Sequence, residues 1–224
     1  YRSDEPLWPD RDRFIMSKGH AAPLLYAVLA KAGYFGREEL WRLREVDSPV
    51  QGHPILGKMP GVEATTGSLG QGISLGIGHI LGSRITGQDF RVYVLIGDGE
   101  CQAGQIWEAA MAASNYQTDK LTVILDSNGY QEMGPVSREM SLEPLVEKWQ
   151  SVGWHTAEVD GHDIAAVTSA LHDLQKVTDK PTILIAHTVK GKGVSFVEAD
   201  YTWHGRAIND PKQYEIAEKE LLCS

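Results

Sequence analysis

Arg91-Val-Tyr-Val-Leu-Ile-Gly-Asp-Gly99 and Leu121-Thr-Val-Ile-Leu-Asp-Ser-Asn128 decide the fold of this 224-residue chain. Each is an apolar run, over 91–96 and 121–126, that stops on polar residues. Such runs suit strands buried on both faces of a parallel sheet, and the helical stretch 105–116 supplies the crossover between them. The pair reads as a βαβ unit with polar residues at both strand exits.

Working outward, residues 23–32 and 37–44 carry helical patterns, and 70–85 reads as a helix in which glycine recurs at 70, 72, 76 and 78. Glycine weakens a helix, so its recurrence implies close backbone packing against the sheet or a ligand. Residues 127–141 read as an irregular loop, 143–151 as a helix and 156–159 as a strand. A helix over 164–176 follows from the spacing of Ile164, Val167, Leu171 and Leu174, and 182–187 reads as a fourth strand. The order βαβαβαβ predicts an α/β fold, a doubly wound and mainly parallel sheet with helices on both faces. Residues 188–209 form a long glycine-containing segment of the kind that carries function or moves. Pro211 then opens a last helix to Leu222, expected to dock on a partner.

The length suits one substantial core, hence a single domain over 1–224. Thirty acidic against 21 basic residues give a net charge of −9, which argues against nucleic acid or an anionic membrane as partner. An anionic substrate must then be held by local positive groups. The two cysteines, Cys101 and Cys223, make no disulfide framework. With no apolar run of membrane-spanning length and no charged-then-apolar leader, the reading is a cytoplasmic protein.

In doubly wound sheets ligands gather beyond the carboxyl ends of the strands. Asp98 and Asn128, thirty positions apart, are therefore expected to be neighbours there. Both offer hard oxygens of the kind Mg²⁺ or Ca²⁺ (or Mn²⁺) takes, and one carboxylate suffices where phosphate oxygens complete the shell. Gly97 and Gly99 would let a phosphate approach the backbone. Alone, Gly-Asp-Gly is a turn; Asn128 at the neighbouring exit makes it a candidate clamp for a metal-bound diphosphate. A nucleotide-binding Rossmann domain fits less well, lacking Gly-x-Gly-x-x-Gly and setting a bare carboxylate against phosphate.

The pair resembles the cofactor motif of thiamine-diphosphate enzymes, and four further segments narrow the resemblance. Arg11-Asp-Arg-Phe-Ile-Met-Ser-Lys-Gly-His20-Ala, Gln51-Gly-His53-Pro, Pro60-Gly-Val-Glu-Ala-Thr-Thr-Gly67-Ser-Leu69-Gly-Gln-Gly72 and Thr188-Val-Lys-Gly-Lys-Gly-Val look like transketolase segments in the family's order. The chain thus resembles the N-terminal, diphosphate-binding subunit of a split transketolase. That resemblance implies thiamine diphosphate and a metal held by Asp98, the Asn128 side chain and the main-chain carbonyl of Tyr130, whose ring is read as loop packing. It places Gly67, Ser68, Leu69, Gly99, Asn128, His20 and His204 against the cofactor, and His20, His53 and His204 around the reacting carbon. It implies transfer of a two-carbon ketol unit from a ketose, phosphorylated or otherwise anionic, to an aldose. It further implies upstream helices with another active-site histidine, and a C-terminal, pyrimidine-binding subunit completing a two-plus-two heterotetramer, without which the chain is inactive.

Histidine suits that chemistry because an imidazole with a pKa near neutrality can donate or accept a proton. His79, His155 and His172 sit in helix or strand patterns and read as structural. His162 and His187 lie at strand exits without an assigned task. Glu108 matches a family glutamate linked to communication between paired sites, whereas Ala103 stands where a second such glutamate is usual, so the two sites are expected to work more independently. Alternatives are that the chain belongs to another thiamine-diphosphate enzyme (a 2-oxo acid dehydrogenase or a deoxyxylulose-phosphate synthase-like protein) or is a non-catalytic regulatory homologue. The histidines at 20, 53 and 204 favour sugar transfer over the first, and the Asp98–Asn128 pair argues against the second.

Overall fold

A computed structural model describes residues 1–222, so Cys223 lies outside the described residues. In chain order the elements are β1 (Arg13–Met16), α1 (Ala22–Lys31), α2 (Gln71–Thr86), β2 (Val92–Gly97), α3 (Gly104–Asn115), β3 (Leu121–Ser127), β4 (Tyr130–Gln131), β5 (Gly134–Pro135), α4 (Val136–Glu139), α5 (Leu145–Ser151), β6 (His155–Asp160), α6 (Ile164–Leu174), β7 (Thr182–His187) and α7 (Pro211–Leu222). Five strands form one sheet in the order β1-β2-β3-β7-β6, and all four pairings are parallel. β4 and β5 make a separate antiparallel hairpin.

Alternation along β2 explains the layers. Val92, Val94 and Ile96 are fully buried and pack with Ile73, Ile77 and Ile80 of α2, the alanine-rich face of α3, and Leu145 and Trp149 of α5. Successive strand side chains point to opposite faces, so Leu95 joins Met16 and the apolar side of α1 in a second cluster. On that same face Tyr93 Oη accepts a hydrogen bond from Gln175, just past α6, at 2.7 Å. Helices cover both faces of a mainly parallel sheet, as the sequence predicts.

The register sets the functional end. Gly97 pairs with Asp126, which in turn pairs with Ala186, so Asp98, Asn128 and Thr188 emerge side by side where the strands finish. Met16 pairs with Leu95, which delivers Lys18 and His20 to the same crevice. β6 is the far edge and is the least covered strand, with His155, Glu158 and Asp160 exposed.

Several boundaries depart from the sequence reading. β1 is an addition to the predicted strands: four residues opening on an arginine are too few for a period, and the strand is defined by its ladder to β2. Residues 37–44 give a 3-10 turn over Arg37–Arg42 with no fully buried residue; Leu40 and Leu43 pack only partly buried against the α1 cluster, too little apolar burial to hold an α-helix. The 127–141 loop contains the β4–β5 hairpin and the α4 turn. Among the described residues no helix is long and apolar enough to cross a membrane.

Close packing of the α2 glycines holds at 70, 72 and 76 but not at 78. A Cβ on Gly76 would lie 2.9 Å from Leu121 and 3.0 Å from Val94, whereas one on Gly78 would meet nothing within 4 Å. Opposite outcomes follow from one substitution on one helix. Gly78→Ala is expected to stabilise the fold by about 0.5–1 kcal/mol through helix propensity. In Gly76→Ala the overpacking outweighs that gain, for a net loss of about 1 kcal/mol; urea denaturation of the two variants measures the contrast.

Candidate active site

Asp98 is the centre of the crevice. It is 3 % exposed, and its two oxygens accept backbone N–H groups from Gly99 at 2.8 Å and Gly129 at 2.6 Å. Among the described residues no lysine or arginine forms an ion pair with it. Burial therefore pushes its carboxyl above the usual range, with the two N–H bonds pulling the other way. Each oxygen keeps a lone pair, which is what a bound cation would use.

The neighbouring exit supplies a second oxygen. Asn128 Nδ2 donates to Asp126 at 3.2 Å and Asn128 Oδ1 accepts from the Tyr130 N–H at 3.0 Å. The amide is thereby oriented with its oxygen towards the loop that carries Tyr130. Asp126 is in turn held by Lys18 and by the Thr188 hydroxyl. Burial works against its charge, but Lys18, Thr188 and Asn128 together hold its carboxyl below the usual range.

Lys18 and Lys190 share this corner with the carboxylates of Asp98 and Asp126. Burial and then the nearby Lys18 push the Lys190 ammonium below its ordinary value, with Asp126 and Asp98 opposing. The imidazoles of His20 and His204 lie 5.0 Å apart, centroid to centroid. His20 is brought down to about 4 by burial first, then by His204, Lys18, His53 and Lys190. His204 is lowered by burial and by Lys190. Both shifts favour the neutral imidazole, which can donate or accept a hydrogen bond without carrying charge.

Glycines let these segments touch. A Cβ on Gly19 would strike the backbone of Thr66 and Gly67 at 2.6–2.7 Å, and one on Gly67 would lie 3.0 Å from the His53 ring. A Cβ on Gly99 would stand 2.7 Å from that of Gln131, so the Gly-Asp-Gly turn passes directly under the β4–β5 hairpin. His53 is anchored through its carbonyl, which accepts from Tyr26 Oη at 3.2 Å.

Residues 1–220 match the family described as "Transketolase, thiamine diphosphate binding domain". The chain belongs to the transketolase family. It is 39 % identical over 221 residues to one subunit of the apulose-4-phosphate transketolase of Phocaeicola vulgatus, covering 96 % of this chain and 78 % of that one. It is likewise 39 % identical over 216 residues to the 6-deoxy-6-sulfo-D-fructose transketolase subunit SqwG of a Clostridium species, with the same coverages of 96 % and 78 %. The crystal structure of Campylobacter jejuni transketolase superposes with a TM-score of 0.91 at 30 % identity, covering 98 % of this chain and 35 % of that one. The chain thus spans about a third of the length of that transketolase and most of the length of the two subunits.

Within this transketolase fold the crevice gathers Asp98, Asn128, Gly99, Gly67, His20, His53 and His204, all of them residues the sequence marks. Ser68 and Leu69 precede α2, and Leu69 is 39 % exposed, so its side chain is not part of this chain's core. The Tyr130 ring stacks on Tyr201, centroids 6.5 Å apart, next to the turn that carries His204. His162 accepts from the Val189 N–H at 2.8 Å and His187 pairs with Glu158 at 2.8 Å; both serve the β6–β7 edge. Glu108 lies exposed on α3. Sequence reasoning gave no role to Lys18, Asp126, Glu100 or Lys190, although Lys18 and Lys190 stand beside glycine in quoted motifs.

The His20 shift has a definite sign. A folded-state pKa of about 4 against 6.5 means that the unfolded imidazole takes up a proton, as pH falls through that window, which the folded one refuses. Stability is lost from about pH 6.5 down to about 4, and none of the loss occurs above it. His20→Phe is therefore expected to lose less stability than the wild type between pH 7 and pH 4.5, read by urea denaturation at both values.

Proposed function

We propose that this chain is the diphosphate- and metal-binding subunit of a split transketolase, folded as a single domain, and that the enzyme moves a two-carbon ketol unit from an anionic ketose to an aldose. The observation that carries the reading is the buried Asp98 carboxylate, short of a counter-cation, beside an oriented Asn128 oxygen at the mouth of β2 and β3. Among the described residues no group of three or more His, Cys, Asp or Glu side chains can hold a metal ion. A single carboxylate, an amide oxygen and the Tyr130 carbonyl instead suit a hard cation such as Mg²⁺ whose shell is finished by phosphate oxygens.

Thiamine diphosphate, when bound, supplies the electron sink for breaking and making the carbon–carbon bond. This chain's residues bind, orient and move protons. Asp98, Asn128 and Tyr130 would hold the cation, Lys18 keeps Asp126 neutralised, and Lys190 would offset diphosphate charge. Gly99, Gly67, Ser68 and Leu69 bring backbone and one apolar side chain against the cofactor. His204, as a neutral donor, hydrogen-bonds an oxyanion developing on the donor sugar or the diphosphate, while His20 and His53 orient the donor's hydroxyls and relay protons.

The two subunit relatives are named for a phosphorylated and a sulfonated sugar, which supports an anionic donor. Their designations as subunits support a second polypeptide that completes each site, in a two-plus-two assembly with the symmetry common to such oligomers. A cytoplasmic location accords with this reading.

Asp98→Ala is expected to weaken retention of thiamine diphosphate by more than about 100-fold, measured by equilibrium dialysis with Mg²⁺; unchanged retention removes the metal assignment. The purified chain alone is expected to release no aldehyde from any ketose, and activity should appear when its partner is supplied with Mg²⁺ and thiamine diphosphate. Full turnover by the single chain would rule out the split-enzyme reading.

A further inference from the structure

Glu100 is a buried carboxylate to which the mechanism above gives no task. It is 3 % exposed and accepts three hydrogen bonds from three separate stretches of chain. Its Oε1 takes the Ser17 hydroxyl at 2.5 Å and the Gly70 N–H at 2.8 Å, and its Oε2 takes the Gly97 N–H at 3.1 Å. The Ser17 oxygen in turn accepts from the Gly72 N–H at 3.1 Å. The side chain lies under the crevice and does not line it.

Every donor stands next to a residue of the site. Ser17 leads directly into Lys18 and His20, Gly70 closes the stretch Gly67, Ser68 and Leu69, and Gly97 precedes Asp98 and Gly99. Resting on the reading of this crevice as a thiamine-diphosphate site, we propose that Glu100 is its positioning residue, one carboxylate that fixes these three limbs relative to one another before the cofactor arrives. Ordering them during folding removes that entropy from the cost of binding.

The chemistry requires a carboxylate. At the amino end of α2, where N–H groups lack partners inside the helix, Gly70 just before it turns its N–H to Glu100 and Gly72 turns its own to Ser17. Only a group that accepts on both oxygens takes Ser17, Gly70 and Gly97 together. A glutamine keeps the shape but turns an NH₂ towards one of these donors, leaving a buried donor unpaired.

The test measures the dissociation constant of thiamine diphosphate in the presence of Mg²⁺, by calorimetry on the full chain reconstituted with its partner subunit, alongside the melting temperature of the cofactor-free protein. Three variants are compared: Glu100→Gln, the milder Ser17→Ala, and Thr122→Val. The last breaks the buried Thr122–Thr182 hydroxyl pair, 2.9 Å long, at the amino end of β3, away from the crevice. Glu100→Gln should raise the dissociation constant about tenfold or more and Ser17→Ala about threefold, whereas Thr122→Val should lower the melting temperature without changing the dissociation constant. Wild-type affinity in Glu100→Gln, or a loss of affinity in Thr122→Val matching its loss of stability, overturns the proposal. If Glu100→Gln does not fold, Ser17→Ala decides: weaker binding sustains the proposal and unchanged binding overturns it. Failure of the wild type itself to bind would instead refute the cofactor reading.

Discussion

Asp98 is a carboxylate held out of water at the point where β2 ends, and the rest of the crevice is organised around that unfavourable placement. Desolvating a charge is costly unless hydrogen bonds and an opposite charge compensate. Two backbone N–H groups, one from its own turn and one from the exit of β3, supply the first part. They also pin two strand ends to each other, so the register of the sheet and the geometry of the oxygens are one constraint. The counter-charge is what a bound cation would bring, and binding there relieves a strain that folding has already accepted.

Around this centre the charges are graded. Lys18 is committed to Asp126, Lys190 is close enough to feel both lysine and carboxylates, and desolvation and those same ammonium groups lower the proton affinity of His20 and His204. The protein as a whole carries −9, and a charge such as that of Lys190 reaches an anionic ligand only within about 8–10 Å at physiological salt. Such a site selects by fit at short range more than by long-range steering.

Much of this was legible in the sequence. The apolar runs of β2, β3 and β7, the polar residues at their exits, and the helical spacing of α2, α3 and α6 all have periods long enough to read. What escaped lacked local signature. β1 is defined by the ladder it makes with β2, which no four-residue pattern encodes. Residues 37–44 have helical propensity, but only Leu40 and Leu43 reach the core and both are only partly buried. Gly78 looks like its neighbours Gly72 and Gly76, yet faces open space, because which side of α2 meets the sheet is decided by tertiary packing. Asp126 and Glu100 were invisible as functional residues for the same reason: their partners lie as far as 108 and 83 positions away in sequence.

The exposed strand β6 carries a further consequence. An uncovered sheet margin offers unpaired N–H and C=O groups to any passing chain, and charged side chains are a common guard against that pairing. Here Glu158 and Asp160 stand along the margin, Glu158 bridged to His187 of the adjacent strand. Growth of the sheet by adding a foreign strand is thereby discouraged on this flank, which directs any higher-order association towards the helical layers and the crevice mouth.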